Sequence, residues 1–218
     1  MTATATRLTI DVWADVVCPW CYIGERRLQQ AVESSPHRDR IDLRVHTFQL
    51  HPDDNKTPIP AMQYLAKSHG MPEAQARTME GKLAAQARSE GLVFEVERPA
   101  ADTLDMLRVV QLGNQHGVGW QVLRAIQSYL FAGNDDAYEH ETLVRIAAEV
   151  GVPADEAREV LGGDRFADEV RADHQQALQL GARGVPFTVL GERLGIPGAV
   201  SAAQYGQAIE QAWEQVNG

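Results

Sequence analysis

The chain has 218 residues, of which 44% are hydrophobic and 23% charged, with a formal net charge of −10. It is long and apolar enough to bury a sizeable core, as one large domain or a domain carrying an insertion, and its composition argues against disorder. The acidic balance, with no run of lysines or arginines, argues against nucleic acid or anionic membrane as partners.

The opening MTATATRLTI has no charged start followed by an apolar stretch, so no secretory signal is expected and the cytoplasm is the expected compartment. Leu8, Ile10 and Val12 alternate with Arg7, Thr9 and Asp11, which predicts a first strand over 7–12. A helix follows from Pro19, with Cys21, Gly24, Leu28, Ala31 and Val32 at roughly helical spacing, and stops at Ser34-Ser35-Pro36. Proline suits a first helical turn, where its missing N–H has no partner to lose. Ile41, Leu43 and Val45 alternate with Asp42, Arg44 and His46 in a second strand. A β-α-β opening of this kind carries its helix over one face of a parallel pair.

No further strand is expected before Phe187. The intervening segment reads as helices over 61–69, 72–90, 103–116, 120–131, 139–150 and 153–161, punctuated by Asn134-Asp135-Asp136 and Gly151-Val152-Pro153. Stripes such as Val122, Ile126, Tyr129 and Leu143, Ile146, Ala147, Val150 read as helix–helix core. A helix over 164–180 then leads through Gly184-Val185-Pro186 to a hairpin, with strands over 187–190 and 193–196 around Gly191-Glu192. Ser201 and Gln204 stand in the capping-box relation before a last helix with Ile209, Ala212, Trp213 and Val216 on its inner face.

Cys18 and Cys21 are the only cysteines, three residues apart where the first strand gives way to the helix. That spacing on a first turn brings two sulfurs within bonding reach. The first sulfur meets unpaired N–H groups and the helix dipole, which favour a thiolate, and a second thiol beside it completes the minimal apparatus of disulfide exchange. Three plainer readings compete. Free cysteines are often small buried hydrophobes. A zinc site needs two more ligands, and the seven histidines offer no pair at ligand spacing; His46 and His51, five apart across a strand end, should face opposite sides. A structural disulfide over so short a loop removes little chain entropy. The strand-to-helix setting and the enclosed proline favour the redox pair, with no metal expected.

This order of elements, with the cysteine pair after the first strand and Val-Pro before the third, resembles the thioredoxin fold, and the helical insertion resembles its DsbA-like branch. DVVCPWCYIGERRL, FQLHP at 48–52 and GVPFTVL near the end are similar to the FrnE-type family of DsbA-like oxidoreductases. The resemblance implies an α/β thioredoxin fold (β-α-β … α-β-β-α) with a thioredoxin-like domain over 1–55 and 164–218 and an inserted all-helical subdomain over 56–163. It implies a protein disulfide oxidoreductase in which Cys18 attacks and Cys21 resolves. Pro186 matches the cis-proline facing the pair, with strand-start proline as the plainer reading. Pro19, Trp20, Val185 and Pro186 are then the expected substrate contacts, Val185 offering its backbone to an extended strand. Trp20 either touches substrate or packs over the helix start. Asp15 either accepts the proton of Cys21 or caps the helix. No bound cofactor is implied; thiol- or disulfide-containing proteins or small thiols are the partners, with glutathione as a candidate redox partner. The oligomeric state is left open between monomer and homodimer.

The 102–108 segment (DTLDMLR) departs from the Ala-His-Arg-type stretch of FrnE-type proteins, only its arginine agreeing, which bears on partner preference if that helix lines the substrate groove. Proline in Ile196-Pro197-Gly198-Ala199 stands where a small polar residue is usual. Two other functions fit the same scaffold: a glutathione-dependent isomerase or kappa-type glutathione transferase, which typically has serine in place of Cys18, and a non-catalytic binding module.

Overall fold

The computed structural model describes residues 7–52 and 56–217; residues 1–6 of the stretch read for a signal lie outside these. Strand β1 (Leu8–Ala14) runs parallel to β2 (Ile41–Thr47), pairing Leu8 with Ile41 through to Ala14 with Thr47. Strand β5 (Phe187–Leu190) is antiparallel to β1, and β6 (Leu194–Pro197) antiparallel to β5, giving the order β2-β1-β5-β6. The alternation of a strand sends Leu8, Ile10 and Val12 to one face of β1, and Asp11 and Trp13 to the other. Leu8, Ile10 and Val12 share an apolar cluster with Leu28 and Ala31 of α1 (Pro19–Ser34) and Tyr205, Ile209 and Trp213 of α9 (Ala202–Asn217). Trp13 clusters with Phe187, Val189 and Ala177 of α8 (Ala167–Gln179). A one-residue slip of β1 would turn both sets to the wrong face.

Local chemistry fixes the ends. The hairpin turns through Gly191 at φ +56° and Glu192 at φ +60°, and the Arg193 N–H closes the turn on the Leu190 carbonyl at 3.2 Å, so β6 begins at Leu194 and not at the expected 193. The Ser201–Gln204 box forms: the Gln204 N–H donates to Ser201 Oγ at 3.3 Å and the Ser201 N–H to Gln204 Oε1 at 3.0 Å. Side chains block the outer edge of β2 against pairing with another strand. The Asn114 amide donates to the Val45 carbonyl at 2.9 Å, and the Thr47 N–H donates to the Asp173 carboxylate at 2.8 Å.

Between β2 and α8 the chain forms α2 (Ala61–His69), α3 (Glu73–Ser89), α4 (Leu104–Gln115), α5 (Gly119–Phe131), α6 (His140–Glu149) and α7 (Ala154–Gly162). Val122, Ile126, Leu143, Ile146 and Ala147 lie in one apolar cluster with Val109 and Leu112. None of the described helices is long and apolar enough to cross a membrane.

Two expectations fail. The segment is not free of strands: β3 (Ile59–Pro60) pairs antiparallel with β4 (Pro99–Ala100). Two residues per strand, one of each a proline, leave no periodicity to read. Helix α8 starts at Ala167, not at 164, because Arg108 holds the preceding turn. Its guanidinium donates to the carbonyls of Val160, Gly163 (2.6 Å) and Arg165 (2.9 Å), and Phe166 takes φ +69°.

Candidate active site

Helix α1 begins at a residue with no side-chain cap: Cys18 occupies the N-cap in an extended conformation, with Pro19 following in the first turn. Its sulfur therefore takes the place where a capping oxygen usually sits. The Cys18 N–H donates to the Asp15 carbonyl at 3.3 Å, and the Tyr22 N–H to the Cys18 carbonyl at 3.1 Å. The Val185–Pro186 peptide is cis, and Cys18 Sγ lies 3.6 Å from the Val185 carbonyl oxygen. The register continues beyond β5, where the Gly198 N–H donates to the Pro186 carbonyl at 2.8 Å.

Gly24 permits this closure. A Cβ there would stand 3.0 Å from Pro186 Cγ and 3.0 Å from Ala199 Cβ, tighter than van der Waals contact allows. A glycine inside a helix costs stability, and one turn beyond a cysteine pair that cost is the sequence signal for a close approach.

The two thiols differ. Cys21 is fully buried and hydrogen-bonded to Cys18. Burial pushes its pKa well up, the Cys18 contact and the Glu25 charge push the same way, and a hydrogen bond with the Asp15 backbone opposes them. Cys18, 5% exposed, forms part of the wall of a cavity of about 360 Å³. Pro19 and Trp20 line the same cavity with Leu65, Met71 and Met79. Trp20 is 43% exposed, so it stands at the cavity rather than packing over the helix start.

Asp15 does not cap α1. Its carboxylate is wholly buried and accepts from the Leu50 N–H at 2.8 Å, the Thr103 hydroxyl at 3.2 Å and the Val17 N–H at 3.5 Å. It thereby ties the turn before Cys18 to the loop after β2 and to the start of α4. Burial raises its pKa to about 6, with the Leu50 and Thr103 bonds pulling it back. The cap reading fails because Asp15 lies three residues before the N-cap, Cys18, and its carboxylate is buried in bonds to Leu50 and Thr103.

The sequence reading missed Glu25, one turn after Cys21. It is buried, accepts from Arg124 at 3.2 Å and Gln127 at 3.3 Å, and is raised to about 7, burial outweighing the arginine. Arg124 also donates to the Tyr22 carbonyl at 3.0 Å and lies over the Tyr22 ring, so α5 grips the helix that carries the cysteines. A lone Glu in a polar stretch of helix gives no sign of this.

The 102–108 segment does not wall the cavity beside Cys18. Asp102, Leu104, Asp105, Met106 and Arg108 line a separate cavity of about 530 Å³ that touches neither cysteine. Of that segment Thr103 reaches the site through Asp15, and Met106 and Leu107 share the apolar cluster that holds Cys18 and Cys21. His46 and His51 part company as expected. His46 bonds Asp11 at 2.8 Å and Asp173 at 3.4 Å, whereas His51 stands against Tyr64 in the Cys18 cavity. Among the described residues, no group of three or more His, Cys, Asp or Glu is placed to hold a metal ion.

This arrangement, with a cysteine pair at a helix start facing a cis Val-Pro bond, agrees with comparison against known families. Residues 9–210 match the DSBA-like thioredoxin domain. The chain belongs to that family. A structure described as a probable DsbA oxidoreductase from Streptomyces coelicolor is 37% identical, covers 95% of this chain and 91% of its own, and superposes with a TM-score of 0.89. The cytosolic disulfide reductase DsbM from Pseudomonas aeruginosa shares the DSBA-like fold at 17% identity and TM-score 0.60, covering 96% of this chain and 97% of its own. A 2-hydroxychromene-2-carboxylate isomerase shares it at 13% identity and TM-score 0.69, covering 95% and 97%. No curated protein matches the chain.

Proposed function

We propose that this DSBA-like chain is a protein disulfide oxidoreductase of the FrnE type that exchanges disulfides through Cys18 and Cys21. The observation that carries the reading is the asymmetry of the pair. Cys18 stands at an uncapped helix start, in a cavity wall and against the Val185 carbonyl, while Cys21 is bonded to it from behind with its thiol form favoured. An attacking thiolate needs access and a stabilising helix terminus; a resolving thiol needs only proximity. The FrnE-type placement rests on the cysteine, FQLHP and GVPFTVL motifs.

In the reducing direction, the Cys18 thiolate attacks a substrate disulfide, and the departing sulfur takes up a proton. Cys21 then loses its proton and attacks Cys18 Sγ, forming the Cys18–Cys21 disulfide and releasing the second substrate sulfur. The oxidising direction runs the same steps backward. The Val185 backbone beside the cis bond offers an extended substrate a hydrogen-bonding edge, Pro186 sets that backbone, and Pro19 and Trp20 provide apolar contact. Asp15 acts as a positioning residue for the Cys18 turn. We place the activity in the cytoplasm, with glutathione as redox partner and no bound cofactor.

The test is a pair of variants. Cys18→Ser is expected to abolish insulin reduction and thiol oxidation, and Cys21→Ala to accumulate a mixed disulfide on Cys18. Full activity in Cys18→Ser refutes the proposal.

A further inference from the structure

The exchange steps leave one buried acid beside the cysteine pair without a role. Glu25 follows Cys21 by one turn of α1, and both are buried, Cys21 0% and Glu25 1% exposed. Residues four apart on a helix stand about 5–6 Å apart at Cβ. Helical side chains also lean toward the N-terminus, so the glutamate lies back over the turn that carries Cys21. Its charge acts on the Cys21 thiol. Asp15 meets Cys21 through its backbone, while its carboxylate turns to Leu50, Thr103 and Val17.

Charge decides what Glu25 can do there. From α5 it receives the Arg124 guanidinium at 3.2 Å and the Gln127 amide at 3.3 Å. From α9 it is met by Tyr205, whose phenol burial pushes up to about 12, the Glu25 and Cys21 charges adding to this, so the phenol stays neutral. At rest the cluster therefore holds one anion and one cation. A Cys21 thiolate formed beside an ionised Glu25 would add a second buried anion with no cation of its own, which is costly. Passing the Cys21 proton to Glu25 moves the negative charge from carboxylate to sulfur and leaves the cluster neutral with Arg124. Burial holds Glu25 up near 7 against the pull of Arg124, a value suited to taking up and releasing a proton at neutral pH.

We infer that Glu25 takes the proton of Cys21 in the resolving step and that Arg124, reaching over from α5, sets the pH at which it does so. The inference rests on the thiol–disulfide reading of Cys18 and Cys21 and names the proton acceptor of that site. In the reducing direction the substrate is held on Cys18 as a mixed disulfide. The proton passes from Cys21 Sγ to the Glu25 carboxylate, Cys21 Sγ bonds Cys18 Sγ, and the bond from Cys18 to the substrate breaks with its electron pair on the substrate sulfur. That sulfur leaves as a thiolate, and Glu25 then returns its proton to solvent. Over both steps two electrons pass from protein to substrate with no further reactant.

Stopped-flow mixing of the reduced protein with an equimolar amount of Ellman's reagent, an aromatic disulfide, separates the two steps. Attack by Cys18 frees one coloured thiolate and resolution by Cys21 frees the second. Cys18 no longer titrates in the mixed disulfide, so the second release reports Cys21 and its acceptor. In the wild type its rate is expected to rise through an inflection near pH 7, where Glu25 titrates. Glu25→Gln is expected to slow it about tenfold at neutral pH and to abolish the inflection, and Glu25→Asp to restore part of both. Arg124→Gln is expected to move the inflection upward, because loss of the cation raises the carboxyl. A glutamate that only repels Cys21 gives the opposite result, a faster second release in Glu25→Gln, and that overturns the inference. An inflection kept in Glu25→Gln and lost in Asp15→Asn overturns it too, as does a wild-type second release without an inflection. The wild-type profile needs no variant, so it decides the matter even if Glu25→Gln does not fold. No release from the wild type, or both releases retained in Cys18→Ser, would instead overturn the underlying oxidoreductase reading.

Discussion

Replacing Asp15 with asparagine should make the protein more stable at neutral pH. The carboxyl is fully buried and titrates near 6 in the fold against an ordinary 3.8. The sign follows from proton counting. Between these two values the folded state holds a proton that the unfolded chain has released, so stability falls as pH rises through this window. The loss is complete above the folded value and amounts to about 3 kcal/mol by pH 7. Asparagine keeps an acceptor oxygen for the Leu50 N–H and the Thr103 hydroxyl, which both bond Oδ2, and weakens the bonds from the Val16 and Val17 backbone. Denaturant unfolding of both proteins from pH 3 to 8 isolates the effect. A constant difference reports the altered hydrogen bonds, and the increment growing between pH 4 and 7 reports the carboxylate. The expected increment is about 3 kcal/mol, or roughly 6–12 °C in Tm for a chain of this size. A difference that does not change with pH, or one that shrinks as pH rises, would refute the reasoning.

Other outcomes follow from the same geometry. His46 gives the same sign of pH dependence at higher pH: burial alone would lower it, but the Asp11 and Asp173 bonds outweigh that and raise it to about 9. Its stabilisation is full below the ordinary 6.5 and lost as pH rises through 9, so His46→Gln should flatten the unfolding free energy over that window, measured by urea titration. Gly24→Ala should push α1 off Pro186 and Ala199, costing about 1–3 kcal/mol and lowering kcat/KM for disulfide exchange; unchanged activity would show that the loop need not close so tightly. Mass-mapped alkylation of the reduced protein should label Cys18 well before Cys21, because Cys21 is fully buried with its pKa pushed well up.

Much of the fold is written in local signals. The apolar periodicity and the Pro and Gly punctuation place α2 to α7 within a residue or two of their observed bounds, since each helix is set by its own stripe and caps. The Ser201–Gln204 box and the left-handed Gly191-Glu192 turn were legible for the same reason. What escaped depends on distant partners. The late start of α8 is dictated by Arg108 reaching across from α4, and β3 and β4 exist only as each other's complement. In the site, the cysteines declare themselves by spacing. Asp15, by contrast, could be read as a cap because its bonds go to Leu50 and Thr103, far along the chain. Glu25 looks like a surface residue until α5 covers it with Arg124. Trp20 was ambiguous because only the α2–α3 wall shows which way an apolar ring beside Cys18 is used.

The central claim is that Cys18 and Cys21 act as one exchangeable pair, and a redox titration in graded glutathione buffers tests it most directly. After acid quenching and alkylation, mass spectrometry should show both cysteines passing together from two labels to none, in a single two-electron transition. Two cysteines that keep both labels in every buffer, or that oxidise independently of each other, would contradict it.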